Sequence, residues 1–243
     1  MIFMKAMIFA AGLGTRLAPL TDNKPKALVE INGKPMLQMQ IEKLIHSGFN
    51  YIVINVHHYS EQIIDFVNRK SFKAQIVISD ESKQLLNTGG GLKNAQRFFT
   101  PDDVVLLHNV DIFSNIDIAD FYNFHLNSGN IVSMAVKNRP SSNYLLFDEE
   151  NKLCGWKSYK TGSEIIAIQR SNYTELAFSG IYVFNYQLFD LIKNEGCFPI
   201  IPELLDIAKK HRIGAWVHDE NYILDLGKPE AINECEKYLK ENS

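Results

Sequence analysis

Through its first 130 residues the chain alternates short aliphatic runs with stretches of helical periodicity. Residues 5–10, 51–56, 75–79 and 104–108 are short, apolar and rich in branched side chains, and read as buried strands. After the first of these, Leu37, Ile41, Leu44 and Ile45 share one helical face, with Pro35 near its start and Gly48 past its end. Ser60 reads as the cap of a second helix carrying Ile63, Ile64 and Val67, and Asp117 as the cap of another running to about residue 126. Strands separated by helices of about 10–15 residues are βαβ units, which predict an α/β fold with a Rossmann-like, mainly parallel sheet flanked by helices.

From Ile131 the rhythm changes. Residues 131–136, 144–147, 152–157, 165–168 and 178–184 read as short strands joined by turns, a β-rich insertion, and helices return at about 187–193, 202–210 and 229–239. No repeat, linker or low-complexity tract interrupts the chain, so a single domain over 1–243 is expected, its halves meeting near residue 130. The 243 residues are 46% hydrophobic, enough to bury a sizeable core. A net charge of −3 argues against a general nucleic-acid binder but leaves room for a small anionic ligand. The longest apolar run, residues 6–11, falls far short of the roughly 18 needed to span a bilayer. Cys154, Cys197 and Cys235 are odd in number and widely spaced, with neither a zinc pattern nor a disulfide framework, which fits a reducing compartment. The opening residues 1–11 have the layout of a leader, but the structured loop directly after them makes mature, cytoplasmic protein the expectation.

That loop is the sharpest chemical feature: Ala10-Ala11-Gly12-Leu13-Gly14-Thr15-Arg16-Leu17-Ala18-Pro19-Leu20-Thr21, then Pro25-Lys26-Ala27-Leu28. Glycines after a strand let backbone N–H groups converge on an anion, and Thr15, Arg16 and Lys26 add a hydroxyl and two cations, a donor set suited to a polyphosphate. It is not a Walker A loop, because Gly33-Lys34 and Gly227-Lys228 are each followed by Pro. It is not the dinucleotide fingerprint either, because Leu17 stands where the third Gly belongs.

Asp111 follows the strand at 104–108, and Asp225 lies in Leu224-Asp225-Leu226-Gly227, after another apolar run. Taken alone, each reads equally as a turn or helix cap or as a hard-cation ligand. Asn87-Thr88-Gly89-Gly90-Gly91 reads as a Gly-rich turn whose unhindered amides and carbonyls can read a base edge, or as a plain loop. His57-His58 has no third ligand at useful spacing and reads as a loop pair. Trp156 with Tyr159, and Phe98 with Phe99, read as packing residues because no basic stripe accompanies them.

With its strand, Gly-x-Gly-Thr-Arg loop and Pro-Lys, the chain resembles the sugar-1-phosphate nucleotidyltransferases. Its Thr-Gly-Gly-Gly is most like the uridylyltransferases acting on N-acetylmuramic acid 1-phosphate, and guanylyltransferases of mannose 1-phosphate and cytidylyltransferases of phosphocholine are also similar. The resemblance implies the nucleotide-diphospho-sugar transferase fold, with about 1–130 binding nucleotide and about 131–243 binding sugar. It implies Arg16 and Lys26 as catalytic, and Ala10, Ala11, Gly12, Gly14, Thr15, Thr88, Gly89 and Gly90 at the nucleotide. Asn109, Gly180 and Lys157 are implied at the sugar, and Asp111 and Asp225 as ligands of Mg²⁺. Substrates would be a nucleoside triphosphate, UTP favoured, and a sugar 1-phosphate, with no nucleic acid or membrane partner, in a monomer or homodimer. Val110 and Leu145 depart from the family's usual glycines and bear on the choice of sugar. Because the chain ends at Ser243, a following β-helical acetyltransferase domain is not expected. Two other classes remain open: a non-catalytic nucleotide-sugar sensor, which the intact Arg16, Lys26, Asp111 and Asp225 disfavour, and an NAD-dependent enzyme, which Leu17 disfavours.

Overall fold

The computed structural model describes residues 4–242, so Met1–Phe3 of the leader-like stretch and Ser243 lie outside the described residues. In chain order the elements begin with β1 (Lys5–Phe9), the β2 (Glu30–Ile31) and β3 (Lys34–Pro35) hairpin, α1 (Met36–His46), β4 (Tyr51–Val56), α2 (Ser60–Arg69) and β5 (Gln75–Asp80). There follow α3 (Asn87–Asn94), β6 (Val104–Asn109), β7 (Ile112–Ser114), α4 (Ile118–Ser128), β8 (Val132–Lys137), β9 (Asn143–Phe147), β10 (Leu153–Ser158) and β11 (Glu164–Ile166). The chain closes with β12 (Thr174–Asn185), α5 (Gln187–Leu191), α6 (Ile200–Ala208), β13 (Ile213–Val217), β14 (Ile223–Asp225) and α7 (Pro229–Glu241). These elements divide into two compact units, neither continuous in sequence. Of the described residues, the first holds 4–85, Leu107–Ile116 and 222–242; the second holds Leu86–Leu106 and Asp117–Asn221.

In the first unit β1, β4 and β5 are parallel neighbours, from Lys5 opposite Tyr51 to Phe9 opposite Asn55, and from Tyr51 opposite Gln75 to Val56 opposite Asp80. The last residues of β6 lie beside β1, and the Val110 N–H donates to the Phe9 carbonyl. Helix α1 forms where the spacing predicts, burying Leu37, Ile41 and Leu44, while Ile52, Val53 and Ile54 of β4 are fully buried. Ser60 is not the cap of α2. Tyr59 takes that position in a left-handed conformation, φ 52°, because the Ser60 N–H already closes a turn on the His57 carbonyl. Strands β7 and β14 form a small antiparallel pair with Ile112 opposite Asp225. β7, three residues long, has no readable period and was not anticipated.

The second unit carries the expected short strands, which pair antiparallel: β8 on β12, β12 on β9, β9 on β10 and β10 on β11. β13, unforeseen, runs parallel to β8. Asp117 caps α4 as expected, accepting from the Asp120 N–H at 3.0 Å, and Gly129 ends it with φ 67°. Phe121 stacks on Trp216 at 4.7 Å, and Tyr182, Phe184 and Phe189 fill the core. Phe99 is buried as expected, stacked on Phe189, but Tyr159 is 60% exposed and is no core residue: its hydroxyl bonds to the Glu175 carboxylate, which keeps it at the surface. Cys154 and Cys235 are buried and Cys197 exposed, all three free.

Candidate active site

The loop after β1 leaves the sheet from a fixed root. The Ala10 N–H donates to Asn55 Oδ1 at 2.8 Å, Asn55 Nδ2 donates to Glu81 Oε1 at 2.8 Å, and both side chains are buried. Asn55 thus continues the sheet's bonding one residue beyond β1. The Ala10 amide is therefore already satisfied within the protein. His57 Nδ1 lies 2.7 Å from the Glu81 carbonyl, which gives that histidine a place in the same network. Asn55 and Glu81 escaped the sequence reading because a single polar residue at a strand end carries no pattern.

Beyond the root, no hydrogen bond among the described residues ends on the amides of Ala11, Gly12 or Leu13. Gly12, Thr15 and Arg16 are exposed. Gly14 has φ 69°, and its carbonyl accepts from the Thr21 hydroxyl at 3.0 Å and from the Leu17 N–H at 2.9 Å, which shapes the bend. An exposed glycine loop with open amides and adjacent cations has the features that anion-binding loops use.

Lys26 reaches back under this loop. Its Nζ lies 2.6 Å from Asp111 Oδ2, with the two side chains 13% and 12% exposed, and a β-carbon on Gly12 would sit 3.4 Å from the same Nζ. Arg16 Nη1 lies 3.6 Å from Asp225 Oδ2, in a more open pair. The β7–β14 pairing puts Asp225 opposite Ile112, and the Leu226 N–H donates to the Asp111 carbonyl at 2.8 Å. Two aspartates separated by more than a hundred residues therefore stand on neighbouring strand ends, each with one cation. Gly227 donates its N–H to Asp225 Oδ1 at 2.9 Å, and a β-carbon there would come within 2.5 Å of Arg16 Nη2. Gly227 is thus a further site residue, considered in the sequence only as part of a failed Walker match.

The two carboxylates are hard oxygen donors, and a divalent ion of the Mg²⁺ type takes one or two such ligands with the rest from water and phosphate. Each already holds a cation in place, so the donor set fits that ion. No group of three or more His, Cys, Asp or Glu converges among the described residues, which leaves the remaining ligands to a bound phosphate. Asn109 ends β6 just before them. His108, fully buried, has Nδ1 2.7 Å from the Asn109 carbonyl, and burial holds its pKa down at about 3, so the ring is neutral.

The other expected contacts lie in the second unit. Thr88, Gly89 and Gly90 are not in a turn but in the first turn of α3. Their N–H groups are taken: Thr88 donates to Asn87 Oδ1 at 2.7 Å, and Gly89 and Gly90 donate to the Phe198 carbonyl at 2.8 and 3.2 Å. A β-carbon at Gly89 would run into the Phe198 ring, and one at Gly90 into the Gly196 carbonyl. The glycines are small because α3 packs closely on that segment, and their N–H groups are already bonded within the protein. Gly180 has φ 73° and sits where the β12–β8 register shifts between Phe178 and Tyr182, a bulge. Beside it, buried Ser179 Oγ lies 2.7 Å from His218 Nε2. Lys157 Nζ pairs with Glu175 Oε1 at 2.9 Å, and that hydrogen bond raises the lysine's pKa and lowers the carboxylate's. Leu145 is buried.

No helix among the described residues is long and apolar enough to cross a membrane. The family profile described as nucleotidyl transferase matches residues 5–242. A UTP–glucose-1-phosphate uridylyltransferase of Synechocystis is 32% identical over 205 residues, covering 78% of this chain and 51% of that protein. An N-acetylmuramate alpha-1-phosphate uridylyltransferase of Caulobacter vibrioides is 43% identical over 93 residues, covering 37% of this chain and 38% of its own. The chain thus spans about half the length of the first relative and less of the second. Among solved structures, HddC from Yersinia pseudotuberculosis, complexed with GMP-PN, superposes with a TM-score of 0.76 at 24% identity, covering 97% of this chain and 100% of that one, a likeness of fold. With its α/β architecture and a profile match over almost its full length, the chain belongs to the nucleotidyl transferase family.

Proposed function

We propose that this protein transfers a nucleotidyl group from a nucleoside triphosphate, UTP favoured, to a sugar 1-phosphate, giving a nucleoside diphosphate sugar and pyrophosphate. The observation that carries this reading is the pairing of Lys26 with Asp111 and Arg16 with Asp225 beside the exposed Gly12–Arg16 loop. Both relatives described above are named uridylyltransferases, which supports UTP, and both are named for a sugar 1-phosphate. In the reaction a phosphate oxygen of the acceptor attacks the α-phosphorus, and the bond to the bridging oxygen breaks as pyrophosphate leaves. No protein nucleophile is needed; position and charge neutralisation suffice. Asp111 and Asp225 would hold Mg²⁺, which when bound supplies charge neutralisation at the phosphates. Arg16 faces the β- and γ-phosphates and the charge that gathers on the leaving group. Lys26 lies at the α-phosphate and the attacking phosphate, where two like charges must meet. Gly12, Gly14 and Thr15, with the amide of Ala11, cradle the triphosphate. Asn109, Gly180 and Lys157 are assigned to the sugar phosphate, and the protein to the cytoplasm as a monomer or homodimer.

The test is a matrix of the four common nucleoside triphosphates against a panel of sugar 1-phosphates and phosphocholine, with Mg²⁺, detecting pyrophosphate. Turnover confined to UTP with a sugar 1-phosphate is the expected result. Preference for GTP with mannose 1-phosphate, or CTP with phosphocholine, would change the substrates and keep the chemistry. No pyrophosphate from any pair, alongside nucleotide-sugar binding, would make the chain a sensor instead.

A further inference from the structure

We propose that the Lys26 ammonium is the resting occupant of the cation position at Asp111, so that a divalent ion and a triphosphate bind as linked events through this one lysine. The inference rests on the function proposed above. At 2.6 Å, with both side chains largely shielded from water, the ammonium and the carboxylate neutralise each other far more completely than an exposed pair does. While that contact lasts, Asp111 offers little charge to a metal ion and Lys26 offers little to a phosphate. An ion that takes Asp111 frees the ammonium directly beneath Gly12, in the loop whose amides are open. A triphosphate that draws Lys26 away bares the carboxylate. Each ligand completes the other's site, and the coupling is reciprocal by linkage. The Arg16–Asp225 pair repeats the arrangement weakly, since at 3.6 Å and with side chains 59% and 38% exposed it is screened by solvent.

The test is calorimetric binding of UTP in divalent-free buffer, and of Mn²⁺ without nucleotide, to the full chain and its variants. Asp111→Asn is expected to bind metal-free UTP about tenfold more tightly than the parent, and Lys26→Met to bind Mn²⁺ alone about tenfold more tightly, the size of coupling usual for charges in contact. Deleting any negative charge near a triphosphate also helps binding, so the double variant decides the cause. In the Lys26→Met background the gain from Asp111→Asn should be several-fold smaller than in the parent, because no ammonium remains to be freed. A gain that is undiminished there, or that is absent from the single variant, overturns the proposal. Asp111→Ser replaces Asp111→Asn if the latter fails to show a cooperative thermal transition. If the parent chain binds UTP neither with nor without Mn²⁺ while Lys26→Met still gains affinity for Mn²⁺, the functional reading falls and the competition between lysine and metal stands.

Discussion

Lys26 and Arg16 differ in setting although both face a carboxylate. Lys26 is shielded and held at 2.6 Å, whereas Arg16 is more than half exposed. Both would neutralise charge that grows as the phosphates meet, and a preorganised donor to such charge is worth about 10²–10³ in kcat. Lys26→Ala and Arg16→Ala should each lose that much in steady-state pyrophosphate release, and turnover at the parent rate in either would remove the role assigned to it. Gly227→Ala tests the geometry without touching a charge. Its added methyl would press on Arg16 Nη2 and on Asp225 Oδ1, so kcat should fall about tenfold while the thermal midpoint moves by only a few degrees. A variant as active as its parent would show that the arginine need not stay beside Asp225. Of these residues the sequence offered Arg16, Lys26 and the two aspartates through their motifs. It gave no weight to Gly227, whose importance comes from an arginine two hundred positions away.

At the level of elements, α3 teaches the most. Its run of three glycines reads as a turn, since glycine is among the poorest helix formers and a frequent turn residue. The structure makes it helical because Gly89 and Gly90 bind the Phe198 carbonyl and sit against the Gly196–Phe198 segment, and close packing outweighs a propensity of about 1 kcal/mol per residue. Gly90→Ala forces a methyl into a backbone carbonyl and should cost about 2 kcal/mol in urea unfolding. An unchanged urea midpoint would mean that the Gly196 turn yields freely. By contrast, α1 and the Asp117 cap of α4 were legible, because a 3.6-residue period and an Asx cap are local signals. β7 and β13 were not, since each becomes a strand through the partner it pairs with rather than through a local pattern.

Across the whole molecule three buried histidines tie stability to pH. Burial lowers the pKa of His108 to about 3 and of His218 to about 4, and it also lowers that of His125, which lies 2.9 Å from Ser133 Oγ. Each ring stays neutral in the fold yet takes a proton in the unfolded chain near its ordinary value of 6.5. Acid therefore favours unfolding from about pH 6.5 downward, and for His218 the loss continues until the folded ring itself titrates near 4. Each such histidine steepens the slope by up to about 1.4 kcal/mol per pH unit. Carboxylates held low, such as Asp148 beside Arg170, act in the same direction but only below about pH 4, where unfolded carboxyls titrate. Unfolding free energies from urea titrations at pH 7, 6 and 5 should fall progressively, and the fall should be shallower in His218→Gln. Equal slopes in parent and variant would show that His218 takes up a proton in the fold as readily as in the unfolded chain.

The alternation of apolar runs and helical periods determined by itself that a parallel α/β sheet would form, because each strand and helix must bury one face and the spacing of that face is written locally. The Gly-x-Gly-Thr-Arg and Pro-Lys string likewise raised the expectation of an anion loop, because glycines and cations act through their own backbone and charge. Only the tertiary structure decided which amides stay open. Asn55 takes that of Ala10, and a carbonyl of Phe198 takes those of Gly89 and Gly90. It alone brought Asp111 beside Asp225 by pairing β7 with β14. A hydrogen bond or an ion pair depends on separation in space, and residues far apart in the chain acquire that separation only when the sheet closes.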